Sequence, residues 1–167
     1  MFDFLNLFTI VHVAISLLGI GSGGVVVCGF LNSQRLDRWT LFFLTTTVLT
    51  SVTGFGFPAE RITPAHVVGV VSLLALGLAV YARYARRLQG KWLGLFVMSS
   101  IIAFYLNSFV LVVQLFQKIP ALKAIAPTQT EPEFAITQSV LLIGFVVVAV
   151  LALRRFHPSA SPVRVVV

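Results

Sequence analysis

Charge is scarce in this chain. Only 10% of its 167 residues are charged, and five are acidic: Asp3, Asp37, Glu60, Glu131 and Glu133. Soluble domains carry about 25% charged residues, so a cytosolic globular enzyme and a disordered tail are both excluded. Cysteine is scarcer still. Cys28 stands alone, which excludes an intrachain disulfide scaffold, a CxxC relay and a cysteine zinc site. P-loop, EF-hand and HExxH patterns are missing, as is a nucleophile elbow, so hydrolytic chemistry finds no support. Gly19, Gly21 and Gly24 match G-x-G-x-x-G by letter, but they lie inside an apolar run without the strand that a dinucleotide fingerprint requires.

Apolar residues are abundant, at 58%. A helix crosses a bilayer core of about 30 Å with about 20 apolar residues. Five stretches meet or approach that length: 5–31, 39–57, 64–84, 92–116 and 134–153. Backbone groups in lipid must be satisfied internally, so each stretch is expected to be helical. The N-terminus has no basic region before its apolar run, and that run is too long for a signal peptide. The first span therefore reads as retained. The expectation is an all-α polytopic transmembrane bundle of five spans, one domain over 1–157, with a flexible cytoplasmic tail over 158–167.

The cations orient it. One side would hold Arg35, Arg38, Arg83, Arg86, Arg87, Lys91, Arg154, Arg155 and Arg164; the other holds Arg61, Lys118 and Lys123. Nine against three places the N-terminus outside and the C-terminus inside. The link from Arg83 to Lys91 has no aromatic platform for bases. It reads as a topology signal in contact with anionic lipid, not as a nucleic-acid surface.

With this orientation, the conspicuous polar residues gather toward the outer face. His12, Thr50, Thr53, Asn107, Gln114, Gln138 and His66 all fall in the outer half or at its rim, while the inner half is mostly apolar or small. Helical spacing puts His12, Ser16, Gly19 and Gly23 on one face. Thr46, Thr50 and Thr53 share another, as do Asn107, Gln114 and Lys118. Three helices thus turn polar faces toward one centre, consistent with an outward-opening pocket or path through Ser16, Thr50, Thr53, Asn107, Gln114 and Gln138. Packing and interhelical hydrogen bonds explain the Ser, Thr, Gly and amide positions as readily.

His12 and His66 are the sharpest chemical candidates. Thr63 and Pro64 form a helix start, with Thr63 as N-cap and Pro64 at N1, and His66 falls near N3, where the dipole favours neutral imidazole. Neutral imidazole ligates haem iron or another metal. At about 1.5 Å per residue the two rings differ in depth by roughly 5–9 Å, so a shared haem b or metal site is one expectation and a quinone site another. One interhelical hydrogen bond apiece is the plainer alternative.

The outer connections hold the remaining polar residues. Glu60 and Arg61 lie between two prolines, and residues 117–134 form the longest loop, containing Lys118, Glu131 and Glu133. Loops of that length usually carry function or a short element; residues 119–125 suit one or two amphipathic helical turns. Glu131 and Glu133 suit a helix entrance, a pocket lid or a docking rim. The strings TSVTGFGFP from Thr50, TPAH from Thr63, YLNSFVLVVQ from Tyr105 and APTQTEP from Ala126 resemble those of small bacterial multi-pass inner-membrane proteins. That resemblance implies a bacterial inner-membrane location and no activity. Three function classes follow: a ligand- or cofactor-binding protein, a small channel or carrier, and an accessory subunit of a larger membrane complex or homo-oligomer.

Overall fold

The computed structural model describes residues 2–58 and 63–158, with side chains from Leu5 onward. The expected tail beyond Pro158 lies outside the described residues, as do Glu60 and Arg61. The described residues are helical without a strand: α1 (Phe2–Leu31), α2 (Asp37–Gly54), α3 (Pro64–Val80), a π-turn (Tyr81–Ala85), α4 (Lys91–Lys118), α5 (Pro120–Ile125) and α6 (Pro132–Arg155). Four helical stretches are long and apolar enough to cross a membrane: Leu5–Leu31, Pro64–Ala85, Lys91–Lys118 and Pro132–Arg155. The remaining long helix, α2, starts on charged Asp37 and Arg38 and carries six threonines, which lower its hydropathy.

Sequential helices run antiparallel. Gly19 of α1 faces Thr46 and Thr47 of α2, while Gly29 near the other end of α1 meets Leu36. Ser51 of α2 donates to Ser72 of α3 at 3.1 Å, and Tyr81 meets Trp92 across the α3–α4 turn at 5.2 Å. α6 returns along α4 through Phe104 and Phe145, 4.9 Å apart. It closes on α1 at its end, where Phe30 and Phe156 are 4.8 Å apart. α4 is the central helix: 44% of its most apolar stretch is buried, against 11% for α6.

Small residues let these helices approach. A Cβ on Gly23 would lie 2.7 Å from Cδ2 of Phe104, so α1 and α4 touch through a glycine, as membrane helices commonly do. Phe104 packs against a core cluster that includes the fully buried rings of Phe43 and Phe96, with Leu76 and Val97. Leu74, Ile136, Val140 and Ile143 point outward and exposed, the distribution expected where the surrounding solvent is hydrocarbon.

Beyond shifts of one to three residues at other helix ends, two differences from the expectation have a local cause. α2 ends at Gly54, three residues before the expected end at residue 57, because Phe55 and Gly56 fold into a turn closed by the Phe55 and Gly56 amides on the carbonyls of Val52 and Thr53. The third stretch keeps its length but changes type: the Arg86 amide bonds the Tyr81 carbonyl, an i→i+5 closure. Residues 120–125 do form a short surface helix.

Candidate functional site

The polar faces of α1, α2 and α4 meet as hydrogen-bonded partners. Ser16 Oγ donates to Asn107 Oδ1 at 2.9 Å, and Asn107 Nδ2 donates back to the Ser16 carbonyl at 3.3 Å. Gly19 makes room beside them: a Cβ there would stand 3.1 Å from Asn107 Nδ2 and 3.2 Å from Thr47 Oγ1. Asn107 is buried whereas Gln114, two turns further along α4, is exposed. The stripe therefore divides by covering neighbour, for Phe116, beyond Gln114, is buried again against Phe134.

Many hydroxyls turn back on their own helices. Thr46 Oγ1 donates to Phe42 O at 2.8 Å, Thr50 Oγ1 to Thr46 O at 3.0 Å, and Ser99 Oγ to Leu95 O at 2.6 Å. This habit satisfies a hydroxyl without a ligand. Buried polar residues also extend beyond the expected outer half: Thr40, Ser72, Ser99 and Ser100 are all buried. Thr47 Oγ1, Ser100 Oγ and Gln138 Oε1 are buried with no hydrogen-bond partner. Gln138 is tied to α4 through Nε2, which donates to Phe109 O at 3.3 Å.

His12 is half-buried at the same end. Its Nδ1 lies 2.8 Å from Thr53 Oγ1, and its ring meets Phe57 edge-on at 5.0 Å. The Thr53 hydroxyl has one proton, directed at the carbonyls of Leu49 (2.7 Å) and Thr50 (3.2 Å). With that proton on a helix carbonyl, Thr53 accepts from His12, an assignment that puts the hydrogen on Nδ1 and leaves Nε2 as an acceptor.

His66 has the opposite arrangement. It occupies N3 of α3 in a capping box with Thr63. The Thr63 amide donates to His66 Nδ1 at 3.0 Å, and Thr63 Oγ1 lies 2.8 Å from the same nitrogen. Two donors on Nδ1 make it an acceptor, so neutral His66 carries its proton on Nε2. Phe55 packs on the His66 ring at 5.6 Å, so the Phe55–Phe57 turn separates the two histidines. Among the described residues, no group of three His, Cys, Asp or Glu side chains is placed to hold a metal ion.

The long loop between α4 and α6 is pinned down. Gln129, at φ 60°, sends Nε2 to the Val113 carbonyl at 2.9 Å. Glu131 precedes α6 and accepts from the Thr128 amide at 3.0 Å, the Thr128 hydroxyl at 2.8 Å and the Thr130 amide at 3.0 Å. Desolvation pushes this carboxyl up, but the hydrogen bonds from Thr128, Thr130 and its own amide outweigh it and hold it below the usual carboxylate range. Glu133 and Lys118 are exposed.

The ion pair at the other end is not legible from spacing. Arg83, expected in the basic link between two spans, is buried and bonds Asp37, whose side chain is largely exposed. Its guanidinium also lies 5.3 Å over the Phe96 ring. The one usable signal is that Asp37 is the single acid among the cations assigned to that side.

No family model, curated protein or solved structure matches the chain.

Proposed function

We propose that the protein is a five-span bundle of the bacterial inner membrane, N-terminus outside, and that its His12 end binds a small neutral ligand of the quinone class. It would act as a ligand-binding or redox subunit within a homo-oligomer or a larger membrane complex. One observation carries this reading: near the Phe55–Phe57 turn, His12 Nδ1 faces a threonine hydroxyl that has helix carbonyls for its proton, whereas His66 Nδ1 accepts from a backbone amide, which favours opposite tautomers for the two half-buried histidines. His12 offers an acceptor at Nε2 and His66 a donor. A quinone carbonyl accepts from the donor, a quinol hydroxyl gives to the acceptor, and Phe8, Phe55 and Phe57 supply apolar surface nearby. The same tautomers disfavour the two-histidine haem. Ligation by His66 Nε2 would require it to lose the proton that its capping role places there.

The fifth span is α2. Its 18 residues reach about 27 Å, and Thr46, Thr50 and Thr53 close onto their own helix. Transport through Thr50 and Asn107 is less well supported, because Thr50 already bonds the Thr46 carbonyl and Asn107 already bonds Ser16. The accessory-subunit reading rests on Ile119 and Ile125, exposed apolar residues on a loop fastened in place.

The test is equilibrium binding of a short-chain ubiquinone analogue to detergent-purified protein, with a visible spectrum of the same sample. A neutral hydrogen bond contributes about 0.5–1.5 kcal/mol, so His12→Leu and His66→Leu should each weaken binding roughly two- to twelvefold. Binding unchanged by both substitutions, no binding at all, or a Soret band lost in either variant would overturn the quinone reading.

A further inference from the structure

We propose that the α3–α4 turn is a seat for the phosphate of an anionic phospholipid, a site independent of the histidine end. The turn encloses a cleft of about 460 Å³ whose lining includes Arg86, Arg87, Gln89, Lys91 and Trp92 and contains no carboxylate. Asp37, the one acid at this end of the described bundle, is engaged with Arg83 and stands 4.0 Å from Arg35. Three cations around one concavity therefore lack an acidic partner among the described residues. A phosphate diester supplies the missing charge.

The cleft is held in shape. Leu88 is buried as an anchor and its amide bonds the Ala82 carbonyl at 3.0 Å. Arg87 and Leu88 take φ 50° and 58°, with Gly90 at 54°, so the chain reverses tightly and leaves Arg87 and Lys91 exposed on the turn. Arg86 lies 4.9 Å over the Trp92 ring, which places a cation beside an indole of the kind found at the membrane interface.

The occupant is a lipid because of what borders the cleft. Tyr81 packs against Trp92 and continues a stripe of exposed apolar side chains, Leu74 and Leu78, along α3. These lie at i, i+4 and i+7, one face of the helix. A headgroup in the cleft thus leaves its acyl chains beside an apolar stripe of matching direction. A soluble phosphate would use only the cations.

The experiment uses the full chain in phosphate-free micelles, with Trp39→Phe leaving Trp92 as the single indole. Phosphatidylglycerol should shift Trp92 emission saturably, and phosphatidylcholine should not. Arg87→Gln and Lys91→Gln, both at exposed positions, should each weaken the response by about fivefold. Arg38→Gln and Arg155→Gln, at the same end but outside the cleft, should leave it unchanged. Equal responses to the two lipids, or equal weakening in Arg38→Gln, would reduce the site to diffuse surface attraction and overturn the proposal. Inorganic phosphate producing the same shift at the same concentration would assign the cleft to a soluble anion and overturn it as well.

Discussion

Asn107 on α4 and Ser16 on α1 exchange two hydrogen bonds, one at 2.9 Å through the Ser16 hydroxyl and one at 3.3 Å through its carbonyl. Interhelical polar pairs in membranes contribute about 0.6 kcal/mol on average and up to about 1.7. A double-mutant cycle of Ser16→Ala and Asn107→Leu, read by reversible unfolding in mixed micelles, should give a coupling energy in that range. A coupling of zero would show that the Ser16 hydroxyl bond does not hold α1 to α4, since Ser16→Ala keeps the carbonyl that Asn107 also bonds.

The α1–α4 contact should be intolerant of bulk. Phe104 is wedged between Phe43 and Phe145, so it cannot easily yield to a side chain at Gly23. Gly23→Leu should cost about 1–3 kcal/mol, the usual range for overpacking. Gly21→Leu, where a Cβ meets nothing within 4 Å, should be nearly neutral. Equal thermal midpoints for the two variants would contradict the contact.

The histidine tautomers can be read directly. Nitrogen-15 shifts should show His12 protonated at Nδ1 and His66 protonated at Nε2. Thr53→Val removes the acceptor of His12 and should let its two tautomers mix, while His66 stays as it is. A His12 protonated at Nε2 in the unaltered protein would remove the basis of the proposed ligand site.

The Asp37–Arg83 pair should respond unevenly to its two partners. Removing Asp37 leaves a buried guanidinium without its anion, whereas removing Arg83 leaves a carboxylate in water. Charged hydrogen bonds contribute about 1.5–3 kcal/mol, and the exposure of Asp37 moves the expectation to the lower end. Asp37→Ala should therefore destabilise by about 1–2 kcal/mol, and Arg83→Met should partly restore an Asp37→Ala protein. Identical midpoints with and without the second substitution would argue against the pair.

The Glu131 turn gives a pH dependence of definite sign. Its carboxyl titrates below the ordinary range when folded, so the contribution is complete above the ordinary carboxylate pKa and is lost as pH falls through the lowered value. Hydrogen exchange at the Thr128 and Thr130 amides should speed up, relative to neighbouring loop amides, on acidification through that window. In Glu131→Gln the relative rates should not depend on pH there. A relative speeding confined to neutral pH would exclude this origin.

Much of the architecture was visible in the order of residues because hydrocarbon imposes a strict length rule. The helix start at Thr63 and Pro64, the glycine face of α1 and the inward face of Asn107 follow from spacing alone. Three features did not. Arg83 turns inward because the backbone widens at Tyr81–Ala85, and hydropathy has no marker for an i→i+5 bond. Gln114 keeps the helical phase of Asn107 but is exposed, although Phe116 beyond it is buried, and phase carries no information on which turns a neighbouring helix covers. The tautomer of His12 depends on Thr53, 41 residues away, whose own proton is committed to a carbonyl of its helix.

The latch between the ends of α1 and α6 bears on how the molecule is made. The His157 amide donates to Ser33 Oγ at 2.9 Å, beside the packing of Phe30 on Phe156. A ribosome makes α1 before α4 and α6, so the Phe30 ring is covered in two stages, by Phe96 at 5.6 Å and then by Phe156. Ser33 receives the His157 amide only at the second stage. This corner of α1 is thus sealed piecemeal, in the order in which α4 and α6 emerge.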